Sequence, residues 1–323
     1  MDIFAKALNR RTLVAGASAS AALATLAAAG LAGAQSATPG ASPVASPMAA
    51  AATGPTASLR ISLIPAESML ASAKPLTDYL KKELEVADFQ LFVSTDYSGT
   101  IEAMKANHVD LALYGPFSYV LGNQVAGAKA LVMPGLADGT PSSYNSLIVA
   151  NKKSGITKLD DLKTGNHSFS FVDPASTSGY LVPSGIMIDA GIDPKKDLKT
   201  VFSGGHDASL LAIANGTVDA GAVADATYKK MVAAGAVDEA NLVLVVTSPP
   251  IPEGPWAYRD GLDPALVERI RESFINFTNV VTDPAVISTV IENGVKFVDA
   301  PDSLYDGLRT LAKALNLTPD SLK

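Results

Sequence analysis

The sequence has no cysteine at all and few charged residues, which make up 18% of its 323 positions. The absence of cysteine excludes disulfide bonds, thiolate metal sites, a cysteine nucleophile and a lipid-modified N-terminal cysteine. Hydrophobic residues account for 48% of the chain, which is typical of a globular protein and not of a disordered one. The length is sufficient for two ordinary domains with a sizeable core.

Positive charge is also scarce, because 25 lysine and arginine residues stand against 32 aspartate and glutamate residues, giving a net charge of −7. The isoelectric point is about 5.0. Nucleic-acid binding requires a basic face and is therefore not expected. Since the overall field repels anions, any bound anion would have to be held by local hydrogen-bond donors.

Charge is missing entirely from residues 12–58, directly after the paired Arg10 and Arg11. The two arginines and the alanine-rich apolar run behind them predict a twin-arginine-like signal peptide over residues 1–34, with an A-x-A-like cleavage site at its end. An uncleaved signal anchor is the alternative. Residues 35–57 are rich in Ala, Ser, Thr, Pro and Gly, and they are predicted to form a flexible tether.

The most informative segment is residues 169–180, where a short apolar run is followed by three hydroxyl residues and a glycine. The apolar run predicts a buried strand, and the apolar spacing after the segment predicts a helix. Ser176, Thr177 and Ser178 are therefore expected at a helix N-terminus, where free N–H groups and the helix dipole favour an anion. Gly179 is expected to make room for a close approach. The simpler alternative is that Ser176 or Thr177 only caps the helix.

Strand and helix patterns alternate along the rest of the chain. Helices are predicted between most of the strands, and three more helical segments close the sequence at residues 263–276, 283–292 and 302–315. Strands are predicted at residues 59–65, 89–93, 109–114, 130–133, 147–150, 169–172, 198–203, 218–223 and 242–246.

This alternation predicts an α/β fold of two lobes, each a mainly parallel sheet flanked by helices. The pattern restarts near residue 151, and a proline-rich segment crosses back near residue 248. We therefore expect a clamshell in which residues 58–150 and 248–323 form lobe 1 and residues 151–247 form lobe 2. Ligands of such sheets bind at the C-terminal ends of strands, here between the lobes.

Six side chains that follow predicted strands are expected to line this cleft. The set is rich in hydrogen-bond donors and poor in acceptors, which suits a small anion with several oxygens. Tyr97 and Tyr114 could instead be core aromatics, and His206 could be a simple helix cap. Their shared position at strand ends favours a ligand site. The six residues are Tyr97, Tyr114, Ser176, Thr177, Ser178 and His206.

Five motifs occur in a fixed order along the chain: YGP at residues 114–116, DPASTSGYLVP at 173–183, GHD at 205–207, NGTVDA at 215–220 and SPPIP at 248–252. Together they resemble the signature of the phosphonate-, phosphite- and phosphate-binding proteins of ABC transporters, the PhnD-like family. The resemblance covers roughly residues 59–300.

The resemblance implies a type II periplasmic-binding-protein fold and a protein that captures a small phosphorus oxyanion on the extracytoplasmic side of the membrane. The partner it implies is the permease of an ABC transporter, and no cofactor, metal or nucleic acid is expected. We expect a monomer that meets the membrane only through the permease or an uncleaved signal segment. The resemblance further implies that Tyr97 closes over the ligand and that the other five side chains hold the phosphorus-bound oxygens.

One departure from the family pattern bears on the ligand. Relatives that bind aminoalkylphosphonates resemble each other in placing two acids opposite the oxyanion site. The corresponding positions here are Ala226 and Gly254, and Asp225 and Glu253 are each one residue away. We expect Asp225 to be a helix N-cap and Glu253 to be a solvated turn acid. An amine-bearing ligand is therefore not expected, although a one-residue shift in register would bring either acid into the pocket.

Two other functions are considered. A hydrolase could use Ser178, His206 and Asp207, but Asp207 adjoins His206 in sequence and is poorly placed to orient its ring. Neither a G-x-S-x-G elbow nor an HExxH motif is present. A ligand-sensing module of an extracellular signalling system is disfavoured, because the sequence shows no C-terminal membrane span or kinase segment. The expectation is a binding protein and not an enzyme.

Overall fold

The computed structural model describes residues 58–319 of the chain, apart from residues 66 and 165. The predicted signal peptide at residues 1–34 and the predicted tether at residues 35–57 lie outside the described residues. Within the described part, no helix combines the length and the apolar character needed to cross a membrane.

The described residues form an alternating series of strands and helices. The strands are β1 (Leu59–Leu63), β2 (Phe89–Val93), β3 (Leu111–Leu113), β4 (Lys129–Gly135), β5 (Ser143–Tyr144), β6 (Ser146–Asn151), β7 (Ser168–Phe171), β8 (Lys199–Phe202), β9 (Ala220–Ala224), β10 (Leu242–Thr247), β11 (Ile251–Pro252), β12 (Trp256–Tyr258) and β13 (Lys296–Asp299). The helices are α1 (Glu67–Leu84), α2 (Tyr97–Lys105), α3 (Pro116–Ala126), α4 (Val182–Asp189), α5 (Pro194–Asp197), α6 (His206–Ala214), α7 (Asp225–Ala233), α8 (Pro264–Val280), α9 (Pro284–Val290) and α10 (Asp306–Ala314). Short 3-10 turns lie at Lys152–Ser154, Leu159–Lys163, Glu239–Asn241 and Asp302–Tyr305, and a π-helical turn lies at Thr177–Leu181.

The first sheet has six strands in the order β13-β4-β12-β3-β1-β2. Strands β2, β1 and β3 are parallel, and β12 lies antiparallel between β3 and β4. Every residue of β1 is buried, as expected for an interior strand of a sheet that is covered by helices on both faces. The C-terminal ends of β1, β2 and β3 lead into α1, α2 and α3.

The second sheet has five strands in the order β10-β6-β9-β7-β8. Strands β7, β8 and β9 are parallel, and β6 is antiparallel to both β9 and β10, so four of the five strands run in one direction. Strand β9 is buried along its whole length. The prediction of an α/β fold with two mainly parallel sheets flanked by helices is confirmed.

The chain crosses between the two sheets twice, and the two crossings pair with each other. Strand β5 lies between β4 of the first sheet and β6 of the second, and β11 lies on the return path between β10 and β12. They form a two-stranded antiparallel ribbon in which Tyr144 pairs with Ile251 and Ser143 pairs with Pro252. The sequence analysis did not predict this ribbon, nor did it predict β13 or α5.

One part of the predicted lobe division is wrong. Residues 58–150 were assigned to lobe 1, but β6 hydrogen-bonds with β9 and β10 of the second sheet. The crossing therefore comes before Ser146. The reason is that β6 is buried on both faces, so its continuous apolar run shows that it is a strand without showing which sheet it joins. The other lobe boundaries stay predictions.

A buried ion cluster fastens β12 to the first sheet. Asp110 is fully buried and accepts hydrogen bonds from Nε and Nη2 of Arg60 at 2.9 and 2.8 Å and from Nε of Arg259 at 2.9 Å. Burial alone would raise the pKa of Asp110, but the hydrogen bonds from the two arginines outweigh burial and lower the pKa. Breaking this cluster by removing one partner would leave a buried charge without compensation.

Candidate functional site

A cavity of about 670 Å³ is bordered by residues that follow strands of both sheets and by residues of the crossing ribbon. Five of the six residues predicted from the sequence border this cavity, and Ser178 does not. Tyr144 and Glu253, neither of which was predicted to contact a ligand, also border it. The site is therefore close to where the sequence placed it, with a partly different set of side chains.

The segment after β7 forms a strand, a tight turn and a helix, as predicted. Ser176 caps the π-helical turn, because its Oγ accepts a hydrogen bond from the Gly179 N–H at 3.0 Å. The capping alternative is thus correct for Ser176, but a hydroxyl that accepts through its oxygen can still donate its own proton. A Cβ at Gly179 would lie 2.3 Å from Cβ of Val172. The close approach at Gly179 is therefore to Val172.

Two hydrogen bonds join this segment to the first sheet. The Oγ1 of Thr177 accepts from the Phe117 N–H at 2.7 Å, at the start of α3. The Oδ2 of Asp173 accepts from the Tyr97 N–H at 3.3 Å, at the start of α2. Burial raises the pKa of Asp173, and the hydrogen bonds from Ala175 and Tyr97 oppose that rise. The N-termini of α2 and α3 are thus held against the strand-to-helix turn that carries the hydroxyls.

Tyr97 begins α2 and is buried beside this turn. Burial raises the pKa of its hydroxyl, the negative charge of Asp173 raises it further, and the Ser176 hydroxyl beside it acts in the opposite direction. The phenol therefore stays protonated at neutral pH and remains a hydrogen-bond donor.

Tyr144 is the donor that the sequence analysis missed. It lies on β5 of the crossing ribbon and borders the cavity. Burial raises the pKa of its hydroxyl, the charge of Glu253 raises it further, and the neighbouring hydroxyls of Ser178 and Thr177 lower it. The Tyr144 hydroxyl is thus a protonated donor beside the serine and threonine cluster. The one sequence feature that could have pointed to Tyr144 is its position just before the chain crosses into the second sheet.

Tyr114 does not contribute its hydroxyl to this cluster. Its O–H donates to the Thr100 carbonyl at 3.4 Å, and its ring lies against Gly122 of α3. Burial raises the pKa of this hydroxyl. The alternative that Tyr114 is a core aromatic fits this geometry, and its assignment to the ligand set stays a prediction.

Ser178 is fully buried, and its Oγ makes no well-formed hydrogen bond within the described part of the chain. Its backbone carbonyl accepts a hydrogen bond from Oγ of Ser146 at 2.6 Å. A buried hydroxyl without a partner costs free energy, and such groups are uncommon in folded proteins. Ser178 Oγ therefore lies beside the Tyr144 hydroxyl without forming a hydrogen bond of good geometry.

His206 is the first residue of α6, and its ring is held in one protonation state. Its Nδ1 accepts a hydrogen bond from the Ala224 N–H at 3.0 Å, so the proton of the neutral ring is on Nε2. Burial lowers the pKa of His206 to about 4, against a smaller opposing effect of Asp207. At neutral pH the ring therefore presents a neutral N–H donor, which agrees with its predicted role and does not fit a simple cap.

The surroundings of Ala226, Gly254 and Asp225 show whether an acidic side chain could reach a ligand in the cavity. Ala226 and Gly254 border the cavity as expected, but a Cβ at Gly254 would lie 1.9 Å from the Tyr114 carbonyl oxygen. No side chain fits there with this backbone. Asp225 is buried, accepts from the Asn145 N–H at 3.1 Å and pairs with Nζ of Lys229 at 2.7 Å.

Glu253 is not the solvated turn acid that the sequence suggested. It is half-buried on the cavity wall, and its Oε1 accepts from Nδ2 of Asn293 at 2.7 Å. Burial raises its pKa to about 8, and the charges of Glu292 and Asp225 contribute to the rise. Glu292 also borders the cavity. Burial raises its pKa, and the positive charge of Lys230 opposes that rise.

The described residues contain neither a cluster suited to a metal ion nor a hydrogen-bonded catalytic triad. No group of three or more potential ligand side chains is placed to hold a metal ion there. The three residues of the hydrolase alternative do not form a hydrogen-bonded triad, because His206 Nδ1 is bound to the Ala224 N–H and Ser178 Oγ is unpaired. The arrangement presents donors to a ligand and lacks an activated nucleophile.

Comparisons with known proteins agree with this arrangement. Residues 61–305 match the family model described as the periplasmic substrate-binding protein of phosphonate ABC transporters. The phosphate-import protein PhnD of Mycolicibacterium smegmatis is 32% identical over 274 residues, which cover 78% of this chain and 84% of that protein. The phosphonates-binding periplasmic protein of Escherichia coli is 31% identical over 215 residues, covering 66% of this chain and 63% of that protein.

Among solved structures, PhnD1 of Prochlorococcus marinus in complex with methylphosphonate superposes with a TM-score of 0.72 at 21% identity, covering 82% of this chain and all of that one. This likeness confirms the periplasmic-binding-protein fold. With the family match over most of the described residues, it follows that the chain belongs to the periplasmic phosphonate substrate-binding proteins of ABC transporters.

Proposed function

We propose that this protein captures a small phosphorus oxyanion in the cavity between its two sheets and delivers it to the permease of an ABC transporter on the extracytoplasmic side of the membrane. The relatives that bear on the ligand are described as a phosphate-import protein, a phosphonates-binding protein and a methylphosphonate complex. All three names concern phosphorus oxyanions.

The observation that carries the proposal is the group of neutral donors along one part of the cavity wall. The hydroxyls of Tyr97, Tyr144, Ser176 and Thr177 and the Nε2–H of His206 belong to this group. Each hydrogen bond to a charged group contributes roughly 1.5–3 kcal/mol, and the helix N-terminus adds about 0.3–1 kcal/mol. Neutral donors therefore suffice to bind a small anion, even on a chain with a net charge of −7.

The remainder of the cavity favours an oxyanion without an amine. Gly254 cannot carry an acid, and Asp225 is already paired with Lys229 at 2.7 Å. Glu253 is largely protonated at neutral pH because its pKa is raised to about 8. An ammonium group would therefore lose its hydration without gaining a fully ionised partner, which is costly. We propose that phosphate, phosphite and methylphosphonate are preferred over 2-aminoethylphosphonate.

Calorimetric titration of the exported chain with these four ligands near neutral pH tests the proposal. We expect binding of at least one of the first three and clearly weaker binding of 2-aminoethylphosphonate. Glu102→Ala, on the exposed face of α2, should bind like the parent. The absence of heat with all four ligands would refute phosphorus-oxyanion capture.

We further propose that the protein has no enzymatic activity. The unpaired Ser178 hydroxyl and the bond between His206 and Ala224 support this proposal, because neither residue is positioned to activate a nucleophile. Chromogenic phosphate and carboxylate esters should remain intact when they are incubated with the protein. Hydrolysis that is lost in Ser178→Ala would overturn this proposal.

The wider architecture is part of the same proposal. Two lobes, divided near residues 145 and 248, close around the ligand, and the protein acts as a monomer.

Export through the paired Arg10 and Arg11 rests on the sequence alone. Replacing both arginines by lysine should retain the precursor inside the cell, and normal export of that variant would contradict this route.

A further inference from the structure

We propose that Glu253 couples anion capture to proton uptake: its carboxyl group binds one proton when the phosphorus oxyanion enters the cavity. The inference rests on the proposed function, since it concerns the same cavity. Glu253 follows β11 of the crossing ribbon and is not one of the oxyanion donors.

The first support is the position of the carboxyl group. Glu253 directly follows β11, so it sits where the chain returns to the first sheet, and it borders the cavity. Its Oε1 accepts from Nδ2 of Asn293 at 2.7 Å, and a hydrogen bond from the Gly254 N–H opposes the rise in its pKa that burial causes. The group is thus half-buried and able to exchange a proton with the cavity.

The second support is the set of charges around Glu253. Glu292, just after α9, and Asp225, at the start of α7, both place negative charge near it. Lys229 pairs with Asp225 at 2.7 Å, and Lys230 acts on Glu292, so neither lysine is paired with Glu253. Tyr144 and Tyr305 also face it and are neutral phenols. Within the part of the chain that the structure describes, the ionised form of Glu253 therefore has no cation paired with it.

The third support is the electrostatic link to the anion donors. The charge of Glu253 acts on the Tyr144 hydroxyl, which lies beside Thr177 and Ser178. An anion held by these hydroxyls would place its negative charge in the same low-dielectric space as an ionised Glu253. Like charges within a shared site raise the pKa of the titrating group. Anion binding and ionisation of Glu253 thus oppose each other.

The anion affinity is expected to fall as the pH rises above the pKa of Glu253. In the free protein the pKa of Glu253 is about 8, so below that pH the carboxyl is already protonated and binding requires little proton uptake. Above that pH the carboxyl is ionised, and each anion bound draws a proton from solution. By linkage, anion affinity then falls by up to about tenfold for each further pH unit.

Isothermal titration calorimetry of the full mature chain with inorganic phosphate, in buffers of different ionisation enthalpy, measures both quantities. Parent and Glu253→Gln are compared from about pH 6.5 to about pH 9.5, and the ionisation of phosphate itself cancels in the difference. We expect similar affinities at the acidic end. At the alkaline end the parent should bind about tenfold or more weakly than Glu253→Gln and should take up nearly one additional proton.

Two further variants keep the test decisive. Glu292→Gln removes a charge that raises the pKa of Glu253, so the loss of affinity should begin at a lower pH even if Glu253→Gln folds poorly. Glu102→Gln removes an exposed charge on α2 and should reproduce the parent profile.

Parallel profiles for parent and Glu253→Gln, with equal proton uptake, would overturn the inference. So would 2-aminoethylphosphonate binding that tightens as the pH rises through about 8 and is lost in Glu253→Gln, because the carboxylate would then bind an ammonium group. A failure of the proposed function would look different, since no phosphorus oxyanion would bind at the acidic end either.

Discussion

His206 shows how one backbone contact sets the chemistry of a side chain. The Ala224 N–H occupies Nδ1 at 3.0 Å, which leaves Nε2–H as the donor, and burial lowers the ring pKa to about 4. Substituting alanine removes the donor and leaves the Ala224 N–H without its acceptor. We expect His206→Ala to weaken phosphate binding about tenfold to a hundredfold, since a hydrogen bond to a charged group contributes roughly 1.5–3 kcal/mol.

His206→Asn is the matched variant, because its side-chain oxygen can still accept from Ala224 although its amide does not extend as far as Nε2. It should retain stability and lose affinity. The parent should also become less stable than this variant as the pH falls from about 6.5 toward about 4. In that window the unfolded histidine takes up a proton that the folded one does not, which costs up to about 1.4 kcal/mol per pH unit. Identical pH profiles in chemical denaturation would contradict the burial of a neutral ring.

Ser178 leads to a prediction in which stability and function change in opposite directions. Its hydroxyl is buried without a well-formed hydrogen bond, and an unsatisfied buried group costs about 1–3 kcal/mol. Ser178→Ala should therefore raise the free energy of unfolding of the empty protein by about 1 kcal/mol. If the hydroxyl turns to the anion on binding, the same variant should bind phosphate about tenfold more weakly. Urea unfolding and calorimetry measure the two effects.

Ser184 is the matched control for this experiment. It is the other buried serine without a partner in the described residues, and it lies on α4 away from the cavity wall. Ser184→Ala should stabilise the protein to a similar extent and leave binding unchanged. A loss of stability in Ser178→Ala would show that its hydroxyl has a partner in solution.

Five of the six residues predicted from the sequence border the cavity, and the differences from the prediction have physical reasons. Ser176, Thr177 and His206 follow strands directly, so their approach to one edge could be inferred from strand polarity. Tyr114 also follows a strand, but its ring turns into the space against Gly122. Tyr144 lies on a two-residue strand whose pairing with β11 spans 107 residues of sequence, from Tyr144 to Ile251. No local pattern reports such a pairing.

At the scale of the element, the unit formed by β7, the π-helical turn and α4 depends on Gly179. A Cβ there would lie 2.3 Å from Cβ of Val172 and 2.8 Å from Oγ of Ser176. Gly179→Ala must therefore push the strand and the turn apart and disturb the Ser176 cap. We expect a loss of about 1–3 kcal/mol in the free energy of unfolding together with weaker phosphate binding.

Gly115→Ala provides the control for that change. A Cβ at Gly115 meets Oγ of Ser118 at 3.6 Å, which is ordinary contact, and the expected cost is about 1 kcal/mol or less because alanine is a poorer N-cap than glycine. Equal effects of the two substitutions on thermal unfolding would mean that the contact with Val172 relaxes without cost.

The larger elements could be predicted because their periodicity is strong and local. The strands at β1, β2 and β7 and the long helix α8 lie close to their predicted ranges. Strand β13 was missed because it pairs only with β4, about 160 residues earlier in the chain. The placement of β6 failed for a related reason, since a strand buried on both faces has no polar face to indicate its neighbours.

At the scale of the whole molecule, the donors come from both sides of the cavity. Tyr97 belongs to α2 beside the first sheet, and His206 belongs to α6 beside the second. An anion that engages both must hold the two sides together, so we expect phosphate to reduce the radius of gyration in small-angle scattering. The same phosphate at about 100 times its Kd should add about 2.7 kcal/mol to the free energy of unfolding.

The comparison ligand for closure is 2-aminoethylphosphonate, which should leave the radius unchanged at the same concentration. His206→Ala should also fail to contract at phosphate concentrations that close the parent. A radius that does not respond to a ligand shown by calorimetry to bind would mean that the cavity is already closed in the empty protein.

The position of β12 has a consequence for the order in which the molecule can be assembled. This strand fills the gap between β3 and β4, and Arg259 beyond it completes the cluster around Asp110. The first sheet therefore stays split into two pieces until the chain has been made as far as residue 259, whereas the second sheet is complete at residue 247. A nascent or truncated chain between those lengths would leave β4 without either neighbour and β3 with an unpaired edge, and such edges are templates for aggregation. The half of the molecule that begins first is thus finished last, and β12 also covers strand edges that could otherwise pair with another chain.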